Sequence, residues 1–319
     1  MENPFPYSIA NRRFHTYDYE LKKRYGHKCF KVTLDGGFTC PNIDGTCGSG
    51  GCSYCNLAHT YPERTAPRGD NPPRRFPVPP LREQFDRVRE KLHQKWPEAD
   101  YIAYFQNFTN TYGDPDEIYS MLCEVLTYEH VVGVNIATRA DALSDEVISC
   151  LRRIAEKTDL TVELGLQTVH DQTARRINRG HDYAAFLAGY AALEGISTCI
   201  HVINGLPGED HAMMMETARE MARLHPESIK IHLLHILSGT CMEEEYRRGE
   251  VTPMTLPDYV KTVCDQIEIL PPEMVIARVT GDGLQDDLVA PRWSLRKFVV
   301  MNEIDKELVR RGTWQGIYS

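Results

Sequence analysis

Apolar and polar positions alternate along this chain in two rhythms, and each change of rhythm marks an element. Leu81, Phe85, Val88, Leu92 and Trp96 recur at helical spacing and predict an amphipathic helix over 81–96. The run YIAYF at 101–105 predicts a strand. DPDEIYSMLCEVL at 114–126 predicts a helix, with Asp114 as N-cap and Pro115 at the first helical position. Further strands are expected at 27–35, 131–138, 160–167, 197–204 and 228–236. Helices are expected at 144–156, opened by Ser144, in two pieces over 170–194 split at 179–181, and at 209–224. Six strands separated by helices mean βαβ units and a parallel sheet, since strands joined by short turns would run antiparallel.

Six such units fit either an open doubly wound sheet or an incomplete barrel. The barrel is preferred because the strands carry polar residues where a doubly covered open sheet would show unbroken Val/Ile runs. Beyond residue 240 the pattern changes to a helix near 257–269, a strand near 274–279, a Gly/Asp turn and a helix at 294–311. The expected organisation is therefore an α/β barrel over 1–240 and a small C-terminal α/β extension over 241–319. RTAPRGDNPPRRFPVPP, at 64–80, is too rich in proline for either element and is expected to be a connecting loop.

In parallel α/β folds ligands sit at the carboxyl ends of the strands. Period two puts Tyr104 and Gln106 on one face, followed by Asn107, Thr109 and Asn110, and the third strand ends in Thr138, Arg139 and Asp141. Glu163 and Gln167 point together, with Arg179 a candidate structural partner for Glu163. His201 stands on the fifth strand, and Lys230 and His232 share a face of the sixth. Leaving each of these buried without a partner would cost about 1–3 kcal/mol. Together they predict a polar-lined cavity.

The chain has 319 residues, 42% hydrophobic and 25% charged, as ordinary globular proteins have. Ten cysteines and an opening, MENPFPYSIANRRF, without an apolar leader point to a reducing compartment, the cytoplasm, and to no membrane attachment. A net charge of −9 excludes a general nucleic-acid coat protein. Residues 1–34 nevertheless hold seven Lys/Arg against three Asp/Glu, and 61–95 hold nine against five. These stretches are candidates for a surface facing a polyanion.

Candidate chemistry concentrates in TLDGGFTCPNIDGTCGSGGCSYCN, residues 33–56, with cysteines at 40, 47, 52 and 55 among glycines. A loop this rich in glycine can fold back on itself, so that its thiolates converge. Zinc on four thiolates, an electron-transfer cluster on four, and a 4Fe–4S cluster on three with one iron open all remain possible. Cys29, Cys123, Cys150, Cys199, Cys241 and Cys264 are isolated and read as small core residues.

Between residues 38 and 297 stand, in order, FTCPN-x-DG, GGC-x-[YF]-C, FQ-x-x-TNTY, TRxD, ELGLQT, NRGHD, GLPGE and AP-x-W-x-x-x-K. This set resembles the radical S-adenosylmethionine superfamily, specifically its YhcC/YtqA-like group in the branch of the Elongator catalytic subunit. The C-x11-C-x2-C spacing is that branch's long form of the usual C-x3-C-x2-C. The resemblance implies a partial (β/α)6 barrel, with Cys40, Cys52 and Cys55 holding a 4Fe–4S cluster whose open iron chelates S-adenosylmethionine. It places Tyr54 near the adenine, Gln106, Thr109 and Asn110 near the methionine amino group, and Arg139, Glu163 and Gln167 near carboxylate and ribose. His201, Lys230 and His232 are the implied catalytic residues facing substrate. Cys47 has no counterpart in the group's pattern.

An electron donor such as flavodoxin or ferredoxin is implied, as is a 5′-deoxyadenosyl radical that abstracts hydrogen in a closed cavity. The group is associated with converting tRNA wobble 5-carboxymethylaminomethyl-(2-thio)uridine to the 5-aminomethyl form, so tRNA is the expected partner. A small metabolite is the alternative substrate, and a non-enzymatic zinc or iron–sulfur RNA-binding module the alternative class.

Overall fold

A computed structural model of the chain describes residues 5–8, 12–64, 74–281 and 286–319. Residues 65–73 of the proline-rich stretch and most of the Gly/Asp turn lie outside the described residues. The strands are β1 (Cys29–Leu34), β2 (Asp100–Phe105), β3 (Val131–Thr138), β4 (Asp159–Gln167), β5 (Ser197–Asn204), β6 (Ser228–Leu233), β7 (Ile236–Leu237), β8 (Val275–Arg278) and β9 (Leu288–Ala290). Seven of them pair in parallel in the order β1-β2-β3-β4-β5-β6-β8 and curl into a partial barrel. The helices are α1 (Tyr17–Tyr25), α2 (Leu57–Thr60), α3 (Leu81–His93), α4 (Pro115–Val125), α5 (Asp145–Ala155), α6 (Asp171–Arg176), α7 (Tyr183–Ala192), α8 (His211–Leu224), α9 (Cys241–Arg247), α10 (Leu256–Ile269) and α11 (Lys297–Arg311).

Strand periodicity sorts the side chains into two layers. Val32, Leu34, Ala103, Phe105, Val134, Ile136, Val162, Leu164, Ile200, Val202, Ile229 and Ile231 are buried in one core cluster. The intervening positions, Lys31, Tyr104, Asn135, Glu163, His201 and Lys230, are polar and meet one another on the opposite face of the sheet. Helix starts follow local chemistry. Asp114 accepts from the Asp116 and Glu117 amides, and Ser144 from Val147 N. Each such cap contributes roughly 1 kcal/mol.

The structure departs from the sequence reading in three places. The helix expected over 81–96 ends at His93, and Trp96 beyond it packs its ring 4.6 Å from that of Phe30. The strand expected over 228–236 breaks after Leu233, and β7 pairs antiparallel with β9. The strand expected near 274–279 does not stand apart from the barrel. It pairs with β6 (Ser228↔Val275, Ile229↔Ile276) and raises the parallel strands from six to seven. A four-residue strand carries too little periodicity to announce its partner.

The outer edge of β8 is covered. Ile276 N donates to His15 O at 2.8 Å, and Thr16 bridges Ile276. That segment is in turn bound to residues 313–315. Arg13 Nη1 donates to Thr313 O at 3.1 Å, Gln315 N to Arg13 O at 2.9 Å, and His15 N to Gln315 Oε1 at 2.7 Å.

Among the described residues, folding engages many cations of the 1–34 and 61–95 stretches that were candidates for a surface facing a polyanion. Arg12 pairs with Asp305, Lys22 with Asp18, Arg24 with Glu20, Lys31 with Glu163 and Arg64 with Asp35. Lys23, Lys28 and Arg74 lie over the rings of Tyr7, Phe30 and Tyr112, and Arg75 donates to Gly36 O. Among the described residues, no helix is long and apolar enough to cross a membrane.

Candidate active site

A cavity of about 240 Å³ opens where the strands reach their carboxyl ends, lined by residues of β2 to β6, by Arg278 at the end of β8 and by the cysteine loop. Cys40, Cys52 and Cys55 all line it, and none is in a disulfide. Positive φ at Gly50 and Gly51, both 76°, turns the loop back toward the barrel. Asn178, itself at φ 51°, clasps the loop through Ser49 O (3.0 Å) and Gly51 O (2.7 Å), while Ser53 N donates to Ile177 O at 2.9 Å. Asn42 reaches back to Asn178 O at 2.6 Å. Gly180 leaves room for it, since a Cβ there would lie 2.5 Å from Asn42 Oδ1. The NRGHD stretch thus holds the cysteine loop in place.

This donor set fits an iron–sulfur cluster. Three reduced thiols share one wall, and N–H groups of Asn42 (3.7 Å) and Arg179 (3.9 Å) point at Cys52 Sγ, where thiolate charge needs them. Burial, and then the neighbouring Cys52, pushes the Cys55 thiol up to about 12, so it keeps its proton until a metal displaces it. Cys47 is exposed and does not line the cavity, and its Sγ accepts from Arg139 Nη2 at 3.6 Å. A Cys47→Ser variant is expected to retain its full iron content after anaerobic reconstitution. Loss of iron in that variant would count Cys47 among the ligands.

Tyr54, Gln106, Thr109, Arg139, Glu163, Gln167, His201, Lys230 and His232 all line this cavity. Asn110 does not. It is fully buried, and its Nδ2 is shared among Phe105 O (3.2 Å), Asn107 O (3.0 Å) and Ala137 O (2.9 Å), which makes it a loop-shaping residue. Arg139 is fixed by two bonds to Asp141 (2.8 and 2.7 Å) and one to Arg179 O (2.8 Å).

Glu163 is the hub of the interior. Its Oε1 accepts from Lys31 Nζ (2.7 Å) and Asn135 Nδ2 (2.8 Å). Its Oε2 accepts from Tyr104 OH (2.7 Å), His201 Nε2 (2.9 Å) and Lys230 Nζ. Burial alone would raise its carboxyl, but Lys31 and Lys230 outweigh that and hold it well below the usual carboxylate range. Burial, and then the charge of Lys230, lower His201 to about 4 despite the pull of Glu163. Burial, then His201, lower His232 as well, and its buried Nε2 has no hydrogen-bond partner among the described residues. Both imidazoles are neutral at pH 7.

Sequence reasoning missed Lys31, Asn135, Asn42 and Asn178. Arg179, a candidate partner for Glu163, binds elsewhere. Its Nη2 donates to Gly165 O at 2.5 Å, an approach that a side chain would crowd, because a Cβ there would lie 3.0 Å from that same nitrogen. One signal was available: Lys31 interrupts an otherwise apolar strand, and a cation at such a position needs a buried anion.

Comparison with known proteins agrees with the geometry. Residues 43–221 match the Radical SAM superfamily, and residues 226–310 match the Radical_SAM C-terminal domain. YtqA of Bacillus subtilis, an uncharacterized protein, is 48% identical over 316 residues, covering 98% of this chain and 95% of YtqA. The tRNA uridine(34) acetyltransferase of Dehalococcoides mccartyi is 27% identical over 170 residues, covering 49% of this chain and 36% of that protein. Elp3 of the archaeon Methanocaldococcus infernus shares the fold at a TM-score of 0.58 and 19% identity, over 75% of this chain and 62% of that one. The chain therefore belongs to the radical SAM superfamily of enzymes, whose members use a 4Fe–4S cluster and S-adenosylmethionine, in the group that includes YtqA.

Proposed function

We propose that the enzyme acts on tRNA and converts wobble 5-carboxymethylaminomethyl-(2-thio)uridine to the 5-aminomethyl form: the carboxymethyl methylene would lose a hydrogen atom to the 5′-deoxyadenosyl radical and one electron back to the cluster, and water would then cleave the resulting imine, releasing the two carbons as glyoxylate. The carrying observation is the charge of the cavity. Glu163 is the only carboxylate lining it among the described residues, against Lys230, Arg139, Arg179 and Arg278. Such a surplus suits a ligand that brings its own carboxylate. Relatives sharing about half of the chain carry names of tRNA uridine-34 enzymes, which supports a wobble uridine over a free metabolite.

In this reading Cys40, Cys52 and Cys55 hold the cluster, and Asn42 and Arg179 support Cys52 by N–H donation. With S-adenosylmethionine bound, the cluster supplies a carbon-centred 5′-deoxyadenosyl radical. Gln106, Thr109 and Gln167 line the wall beside the cysteines and orient the methionine and ribose portions, with Tyr54 against the adenine. Glu163, already saturated by protein donors, acts by fixing Lys230 and His201 in place. Lys230, with Arg278 beside it, binds the substrate carboxylate, and neutral His232 presents an unpartnered ring nitrogen to the same space.

Nucleoside analysis of tRNA from a strain lacking this gene provides the test. The expected result is accumulation of the 5-carboxymethylaminomethyl nucleoside and loss of its 5-aminomethyl product. An unchanged profile removes tRNA as the substrate and leaves the small-metabolite reading.

A further inference from the structure

Phe298 is 80% exposed, more than any other large hydrophobic side chain among the described residues. It stands in the first turn of α11 beside the exposed Arg296 and Lys297, with exposed Arg292 on the short helical turn just before. Residues 288–302 contain these three cations and no acid, in a chain whose net charge is −9. The turn beneath is anchored. Trp293 Nε1 donates to Met254 O at 3.1 Å, its ring packs 5.7 Å from that of Tyr259, and Arg292 Nη1 holds Leu288 O at 3.1 Å.

The patch also lies beside the cavity. β9, immediately before it, pairs with β7, which follows the cavity-lining strand β6. Arg278 lines the cavity and, after burial, is the charge that lowers the Lys297 ammonium. Arg292, Arg296 and Lys297 are all exposed and adjoin an uncovered aromatic ring.

We propose that Arg292, Arg296, Lys297 and Phe298 dock the single-stranded anticodon loop of tRNA, with Phe298 stacking on a base next to the one that enters the cavity. The inference rests on the tRNA reading above and adds the surface that delivers the nucleotide. Single-stranded RNA is held by splayed bases on aromatic faces and by phosphates on Arg and Lys. A stretch of three cations without an acid stands out in a protein of net charge −9 as a place where a polyanion is attracted. An acidic electron-donor protein is the competing occupant, and the measurements below separate the two.

The test is fluorescence anisotropy of tRNA carrying 5-carboxymethylaminomethyluridine at the wobble position, titrated with the cluster-loaded full chain. Phe298→Ala is expected to weaken binding about tenfold, and Phe298→Trp to retain it. Arg292→Glu/Arg296→Glu is expected to weaken binding further and to reduce the slope of log Kd against log salt by about one. Melting temperature and substrate-free cleavage of S-adenosylmethionine stay at parent values in the Phe298 variants, because the ring is exposed and does not line the cavity. Equal tRNA affinity in all variants overturns the inference while leaving tRNA as substrate. Unchanged tRNA affinity with slower reduction by flavodoxin assigns the patch to the electron donor and also overturns it. A parent protein that binds no tRNA sinks both this inference and the substrate reading.

Discussion

A Glu163→Gln variant is expected to lose about 3–5 kcal/mol of stability, a fall in Tm of roughly 10 °C for a domain of this size. The reason is asymmetry. The carboxylate sits 1% exposed between Lys31 and Lys230, and removing its charge leaves two ammonium groups in the barrel interior without their anion. Glu163→Gln/Lys230→Met is expected to recover part of the loss, since removing both members of a buried pair is far milder than removing one. A single variant that melts with the parent would show that the network contributes nothing.

Acid acts on the same network. Folded His201 titrates at about 4 against 6.5 when unfolded, so across that window the unfolded chain takes up a proton that the folded chain refuses, and stability falls as pH falls. Glu163 works in the same direction: its contribution is complete above the ordinary value of 4.5 and is lost as pH drops toward its depressed folded value. Urea midpoints of the metal-free chain should therefore decline between pH 7 and pH 4. The decline should be shallower in His201→Gln.

Replacing any one of Cys40, Cys52 or Cys55 by Ser is expected to abolish the iron–sulfur absorption and bring cleavage of S-adenosylmethionine to background, the largest effect on activity of any substitution in the chain. The fold should survive it. The loop is clasped by Asn178, Asn42 and the Ser53–Ile177 amide bond, and its sulfurs are not part of the main core cluster. Circular dichroism and melting of the metal-free forms provide the control, with Tm expected within about 2 °C of the parent. A Cys52→Ser protein that retains a full cluster and cleaves normally would remove the three-thiolate assignment.

Much of this was legible in the sequence, because the informative signals are local. Cysteine spacing, the Asp114 and Ser144 caps and the two rhythms of burial are each properties of a short window. Cross-strand chemistry is not. Glu163 gathers donors from β1, β2, β3, β5 and β6, and no window of sequence shows that Lys31 will meet it 132 residues away. Asn110 looked like a ligand because asparagine in a motif invites that reading, yet its amide closes three backbone carbonyls that only the folded loop brings together. Arg179 was weighed as a structural partner for Glu163, and the folded chain brings it instead to the backbone oxygen of Gly165, 14 residues away.

The strip of backbone at 13–16 laid along β8, and pinned there by Gln315, has a consequence for how copies of this enzyme behave toward one another. Without that cover the sheet would end in a row of unsatisfied amides, a template onto which a second molecule could add its own strand. Cutting back to residue 17, or clipping at 313, should thus turn a well-behaved enzyme into one that sticks to itself, visible as early elution and light scattering.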